Sequence, residues 1–140
     1  FLLFLLVFNF ETSCVTLDMK SDLFLVKRVE HDRIKNIVHL GVSTFGWTFI
    51  NRNWPVPIEV PDVILTAPSG IIWEWKGENS KGNLVKGDAK EFSQVVAQTR
   101  NVLDTELKIV GDVAKKWMKY AQCFAGPPED PPAKGTRFGL

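Results

Sequence analysis

The stretch Val63-Ile64-Leu65-Thr66-Ala67-Pro68-Ser69-Gly70-Ile71-Ile72-Trp73-Glu74-Trp75 decides how the rest of the chain is read. Two apolar runs flank a turn signal. Pro68 presets φ for the second position of a turn, and Gly70 tolerates the positive φ that closes it. The runs are rich in β-branched and aromatic residues, so they are expected to form a hairpin. Alternation places Ile71, Trp73 and Trp75 on one face and Ile72 and Glu74 on the other. Two tryptophans at i, i+2 are more apolar surface than a two-stranded hairpin can bury alone. Helices must cover them.

Working outward, residues 53–61 hold Pro55, Pro57 and Pro61, a stiff segment that no helix crosses. Before it, Ile34, Ile37, Val38, Val42, Phe45 and Phe49 recur near helical spacing, which predicts a helix over 33–50 with Asp32 as N-cap. Gly41 and Gly46 either weaken that helix or admit another element closely. Leu23 to Val26 is a short apolar run that suits strand or helix equally.

After the hairpin, residues 76–87 read as a Gly-rich polar loop with a short strand near 83–86. The loop matches no phosphate-binding pattern. Asp88 with Glu91 resembles a capping box, opening a helix whose face carries Phe92, Val95, Val96, Thr99 and Leu103. A short strand over 107–110 follows. A last helix over 113–124 carries the stripe Ala114, Trp117, Met118 and Ala121, which reads as core. Gly126-Pro127-Pro128 ends it, and the tail to 140 is expected to be disordered. The expected class is α+β: a small, mostly antiparallel sheet with helices on one face, burying Trp73, Trp75, Phe92 and Trp117 together.

Composition narrows the function classes. The chain has 140 residues and a formal net charge of +1. Residues 88–122 hold six basic and five acidic side chains, so the balance argues against binding nucleic acid by charge alone. Lys115, Lys116 and Lys119 read as the solvated face of a helix. The two cysteines, Cys14 and Cys123, form no CxxC and no zinc-type spacing, which points to thiols in a reducing, cytoplasmic setting. The apolar run over 1–10 is too short to span a membrane, which takes about 20 residues.

Several motifs resemble a bacterial family related to mycothiol-dependent maleylpyruvate isomerase. They are His39-Leu40-Gly41-Val42 with Phe45-Gly46-Trp47, then Leu65 to Gly70 with Trp73-x-Trp75, and then Gly87-x-Ala89-x-x-Phe92. Gln98-x-Arg100, Asp104-Thr105 and Ala121-Gln122-x-Phe124-Ala125-Gly126-Pro127-Pro128 complete the set. The resemblance spans roughly residues 31–128. It implies a metal-binding helical bundle of the DinB type followed by a small α+β domain similar to sterol carrier protein 2. The second part is also named after wyosine base formation in tRNA. By this resemblance, residues 1–54 are a remnant of the bundle, 55–61 a linker, 62–126 the C-terminal domain and 127–140 a tail.

The resemblance also implies a site. Members use a divalent metal, expected to be zinc, held by histidines and a Glu four residues before a His on the last bundle helix. Here Glu11-Thr12-Ser13-Cys14-Val15 aligns with that motif, and Val15 stands where the His belongs. A valine cannot ligate a metal, so residues 1–25 are expected to be non-native sequence and the metal site incomplete. Glu11 and His39 are the candidate remnants of it. Arg100 is the candidate contact for a substrate carboxylate, because its planar fork suits one. Trp73 and Trp75 are candidates to line a ligand groove. Three readings follow: a non-catalytic part of such an isomerase, with a small thiol as partner; a binding module for an apolar ligand, similar to sterol carrier protein 2; and an accessory in tRNA wyosine synthesis.

Overall fold

The computed structural model describes residues 23–136, and the side chains of 33–136. The class is α+β. Strands β1 (Asp62–Thr66), β2 (Ile72–Trp75), β3 (Leu84–Asp88) and β4 (Lys108–Val110) form one sheet in the order β2-β1-β3-β4. Helices α1 (Leu23–Ser43), α2 (Phe45–Ile50), α3 (Ala89–Val96) and α4 (Asp112–Tyr120) complete the fold.

The hairpin forms as its residues dictate. Val63 faces Trp75 and Leu65 faces Trp73 across an antiparallel pair. Gly70 sits at φ 91° and donates to the Ala67 carbonyl at 2.8 Å, closing the turn. The strand near 83–86 is real and runs on to Asp88. It pairs parallel to β1, with Val63 opposite Val85, and β4 then pairs antiparallel to β3. The sheet is therefore mixed, with antiparallel pairing at both edges. Burial alternates along β1: Val63 and Leu65 are inaccessible, while Asp62, Ile64 and Thr66 face outward. One face carries the helices and the other meets solvent.

The core gathers Val38, Phe45 and Phe49 with Val63, Leu65, Val85, Phe92 and Trp117. Phe45 and Phe92 both meet the Trp117 ring edge-on, at centroid distances of 5.1 and 5.9 Å. Edge-to-face contact matches the positive ring edge to the negative ring face. Side chains from both sides of the Pro-rich segment enter this single core, so that segment joins two parts of one packed unit.

Several expectations need correction. The predicted helix over 33–50 is two helices: α1 starts at Leu23, so Asp32 lies inside it rather than capping it. The chain breaks at Thr44, whose Oγ1 donates back to the Leu40 and Gly41 carbonyls at 2.9 and 3.2 Å. Such side-chain bonding competes with the helical ladder. Gly41 does admit a neighbour closely: a Cβ there would lie 2.7 Å from Val96 Cγ2.

Helix α3 is capped by Asp88, whose carboxylate accepts from the Lys90 N–H at 2.7 Å. It stops at Val96 instead of reaching Leu103, because Gln98 adopts φ 59° and the Val96 carbonyl accepts from Cys123 N–H. Leu103 is consequently 67% exposed. Helix α4 ends at Tyr120, and the following 121–124 segment is irregular but buried. The tail expected to be disordered is tied down as far as Thr136. Gln122 Oε1 accepts from Glu129 N–H at 3.1 Å, and Asn101 Nδ2 donates to the Pro132 carbonyl at 3.0 Å. The Asp104 carboxylate accepts from Gly135 N–H at 2.9 Å.

Candidate functional site

The three tryptophans and one phenylalanine expected in one core divide between two places. Trp117 is 1% exposed and Phe92 is fully buried. Trp73 and Trp75 are only half-buried, because β2 is an edge strand and helix α1 covers them incompletely. What α1 presents to them is polar. Trp75 Nε1–H donates to His39 Nδ1 at 3.2 Å, with the two rings 6.4 Å apart and tilted by 36°. The ammonium of Lys35 lies 5.4 Å from the centre of the Trp73 ring, a cation–π arrangement.

Lys35 and His39 are four residues apart, so they share one side of α1. Trp73 and Trp75 share one side of β2. The two pairs face each other across a cleft of about 390 Å³, which Asn36 and Glu74 also line. That volume is within the about 300–1,000 Å³ usual for small-molecule sites. Its chemistry is mixed: two flat apolar walls, one cation, one carboxylate and an imidazole. The bond from Trp75 leaves the Nδ1 lone pair occupied and Nε2 as the nitrogen able to meet a ligand.

Sequence-flagged residues separate here. His39, Trp73 and Trp75 converge on the cleft. Arg100 does not. Its guanidinium donates to Gln94 Oε1 at 3.2 Å and to the Asp104 carbonyl at 2.5 Å, and meets Glu91 Oε1 at 3.5 Å. Glu91, expected to close a capping box, instead accepts from Glu106 N–H at 3.0 Å. Arg100 thus staples the end of α3 to the loop before β4. Glu11 lies outside the described residues, as does Cys14. Among the described residues, no three His, Cys, Asp or Glu side chains come close enough together to hold a metal ion. No described helix is long and apolar enough to cross a membrane.

Lys35, Asn36 and Glu74 were not singled out from sequence. The i, i+4 spacing of Lys35 and His39 was available as a signal, but nothing in the sequence says that this side of α1 meets β2.

Comparison with known proteins adds two relatives. Uncharacterized protein Rv0036c and Uncharacterized protein MT0041, both of Mycobacterium tuberculosis, are each 38% identical to this chain over 118 residues. The matched region is 84% of this chain and 45% of each relative, so the chain spans less than half the length of these relatives. No family model matches the chain, and no solved structure matches it.

Proposed function

We propose that this chain is the C-terminal part of a metal-binding, maleylpyruvate-isomerase-like protein, and that it binds a small ligand here without completing a catalytic centre. The observation that supports this is the meeting of Lys35 and His39 from α1 with Trp73 and Trp75 from β2 in one cleft. The resemblance assigns α1 to the bundle and β2 to the C-terminal domain, so the cleft lies where the two parts join. Its groups suit a small, flat, unsaturated carboxylate. The indoles would hold the planar carbon skeleton, and Lys35 would meet the carboxylate. With Nδ1 accepting from Trp75, His39 Nε2–H would donate to a second polar group. Similarity to the isomerase family favours the same ligand class. A cytoplasmic setting goes with this reading.

The family's metal would need donors beyond His39. The described residues supply no such set, so no step is assigned to a metal.

Maleate titrated into the purified chain, followed by tryptophan fluorescence, tests the proposal. A saturable change is expected. Lys35→Gln should weaken it by about tenfold, equivalent to roughly 1.4 kcal/mol. A flat response would overturn the ligand cleft. Elemental analysis after reloading with zinc addresses the other half: a stoichiometric ion required for maleate binding would contradict the claim that this chain lacks a complete centre.

A further inference from the structure

At the opposite edge of the sheet, a second and larger cleft of about 820 Å³ opens beside β4. Its floor is aliphatic: Val102, Leu103, Leu107 and Ile109 line it. Leu103 is 67% exposed, so it offers apolar surface whose full burial by a ligand is worth up to about 1.5–3 kcal/mol. Helix α4 forms the rim. Lys115 and Lys119, four residues apart and so on one side of that helix, both line the cleft. Neither makes an ion pair among the described residues. The one acid on the lining, Asp130, is already paired with Arg52 at 3.1 Å. Lys119 also lies 5.3 Å from the centre of the Tyr120 ring, another lining residue, a contact that leaves its N–H groups open to an anion. The cleft therefore joins an apolar floor to two positive charges that have no acidic partner among the described residues.

We infer that this cleft binds an amphipathic monocarboxylate, with its apolar body on Val102, Leu103, Leu107 and Ile109 and its carboxylate between Lys115 and Lys119. Charge complementarity selects an anion. The lining holds no arginine, whose fork recognises phosphate in two places at once, so a carboxylate is the better match for two separate ammonium groups. The aliphatic floor excludes a small, fully hydrated anion, which would leave that floor in water. The ligand is a free molecule seated in the cleft. This inference uses no residue of the His39 cleft and stands apart from the function proposed above.

Decanoate, decanol and vesicles of phosphatidylcholine with phosphatidylglycerol, each titrated into the full chain, test it by backbone amide NMR. Decanoate is expected to bind saturably and to shift the amides of Leu103, Leu107 and Lys119. Decanol should bind at least tenfold more weakly. The double variant Lys115→Gln, Lys119→Gln should bring decanoate to the level of decanol with its melting temperature unchanged, both lysines being exposed. Equal affinity for decanoate and decanol would overturn the inference, as would shifts confined to Trp73 and Trp75. Response to the anionic vesicles alone would overturn it too, by assigning the lysines to a lipid surface.

Discussion

Trp117 and the pair Trp73 and Trp75 are the same residue type in two different situations. Trp117 sits under the centre of the sheet, enclosed by Phe45 and Phe92. Trp73 and Trp75 sit at its edge, where the covering helix offers Lys35 and His39 instead of aliphatic side chains. A tryptophan closed in by other rings serves stability. A tryptophan left half-open beside a cation and an imidazole can still meet a ligand. The difference comes from strand order: β1 and β3 have neighbours on both sides, and β2 does not.

Substitutions should separate the two regions by size of effect. Trp117→Ala leaves a large cavity and should lower unfolding free energy by about 3–5 kcal/mol in urea. Trp73→Ala, removing a half-buried ring, should cost roughly 1–2 kcal/mol in the same assay. Equal costs would erase the distinction. Gly41→Ala drives a methyl into Val96 and should cost about 1–3 kcal/mol. Gly46→Ala, whose Cβ would meet nothing nearer than Val56 Cγ1 at 3.9 Å, should leave the melting temperature equal or raise it, since alanine is favoured over glycine in a helix by up to about 1 kcal/mol.

Arg100 belongs with the structural group. Its side chain is 13% exposed and that of its partner Glu91 18%. Arg100→Gln should therefore destabilise the chain by about 1–3 kcal/mol while leaving maleate affinity unchanged. A loss of affinity without a loss of stability would restore the sequence-based role as a carboxylate contact. Among the substitutions at the edge cleft, the smallest loss of stability is expected from Trp75→Phe. It removes the indole N–H that His39 accepts, worth about 0.5–1.5 kcal/mol, and should weaken maleate more visibly than it lowers the melting temperature.

Much of the fold was legible because its signals are local. The turn at Pro68 and Gly70, the cap at Asp88 and the stripe Ala114, Trp117 and Met118 each follow from neighbouring residues. The parallel pairing of β3 with β1 was not legible, since a register between strands separated by a hairpin and a loop leaves no local mark. Leu103 fell at helical spacing and still left the helix, because left-handed Gln98 intervenes. The tail looked disordered by composition. Its order rests on buried Gln122, whose partners Glu129 and Pro127 are reached only once α4 has packed. The candidate site shows the same limit. His39 and the two tryptophans could each be flagged singly. Their meeting depends on α1 lying over an edge strand, and the trapping of Arg100 depends on Asp104, Gln94 and Glu91 folding around it.

The central claim is that the edge tryptophans face a ligand and the central one does not. Indole N–H signals in an NMR titration with maleate report on each ring separately. The Trp73 and Trp75 signals should move together and saturate, with three others unmoved: Trp117, Trp47, whose indole donates to the Phe124 carbonyl, and Trp54, which packs on Tyr120. A shift at Trp117 equal to theirs, or no shift at any indole, would contradict the account.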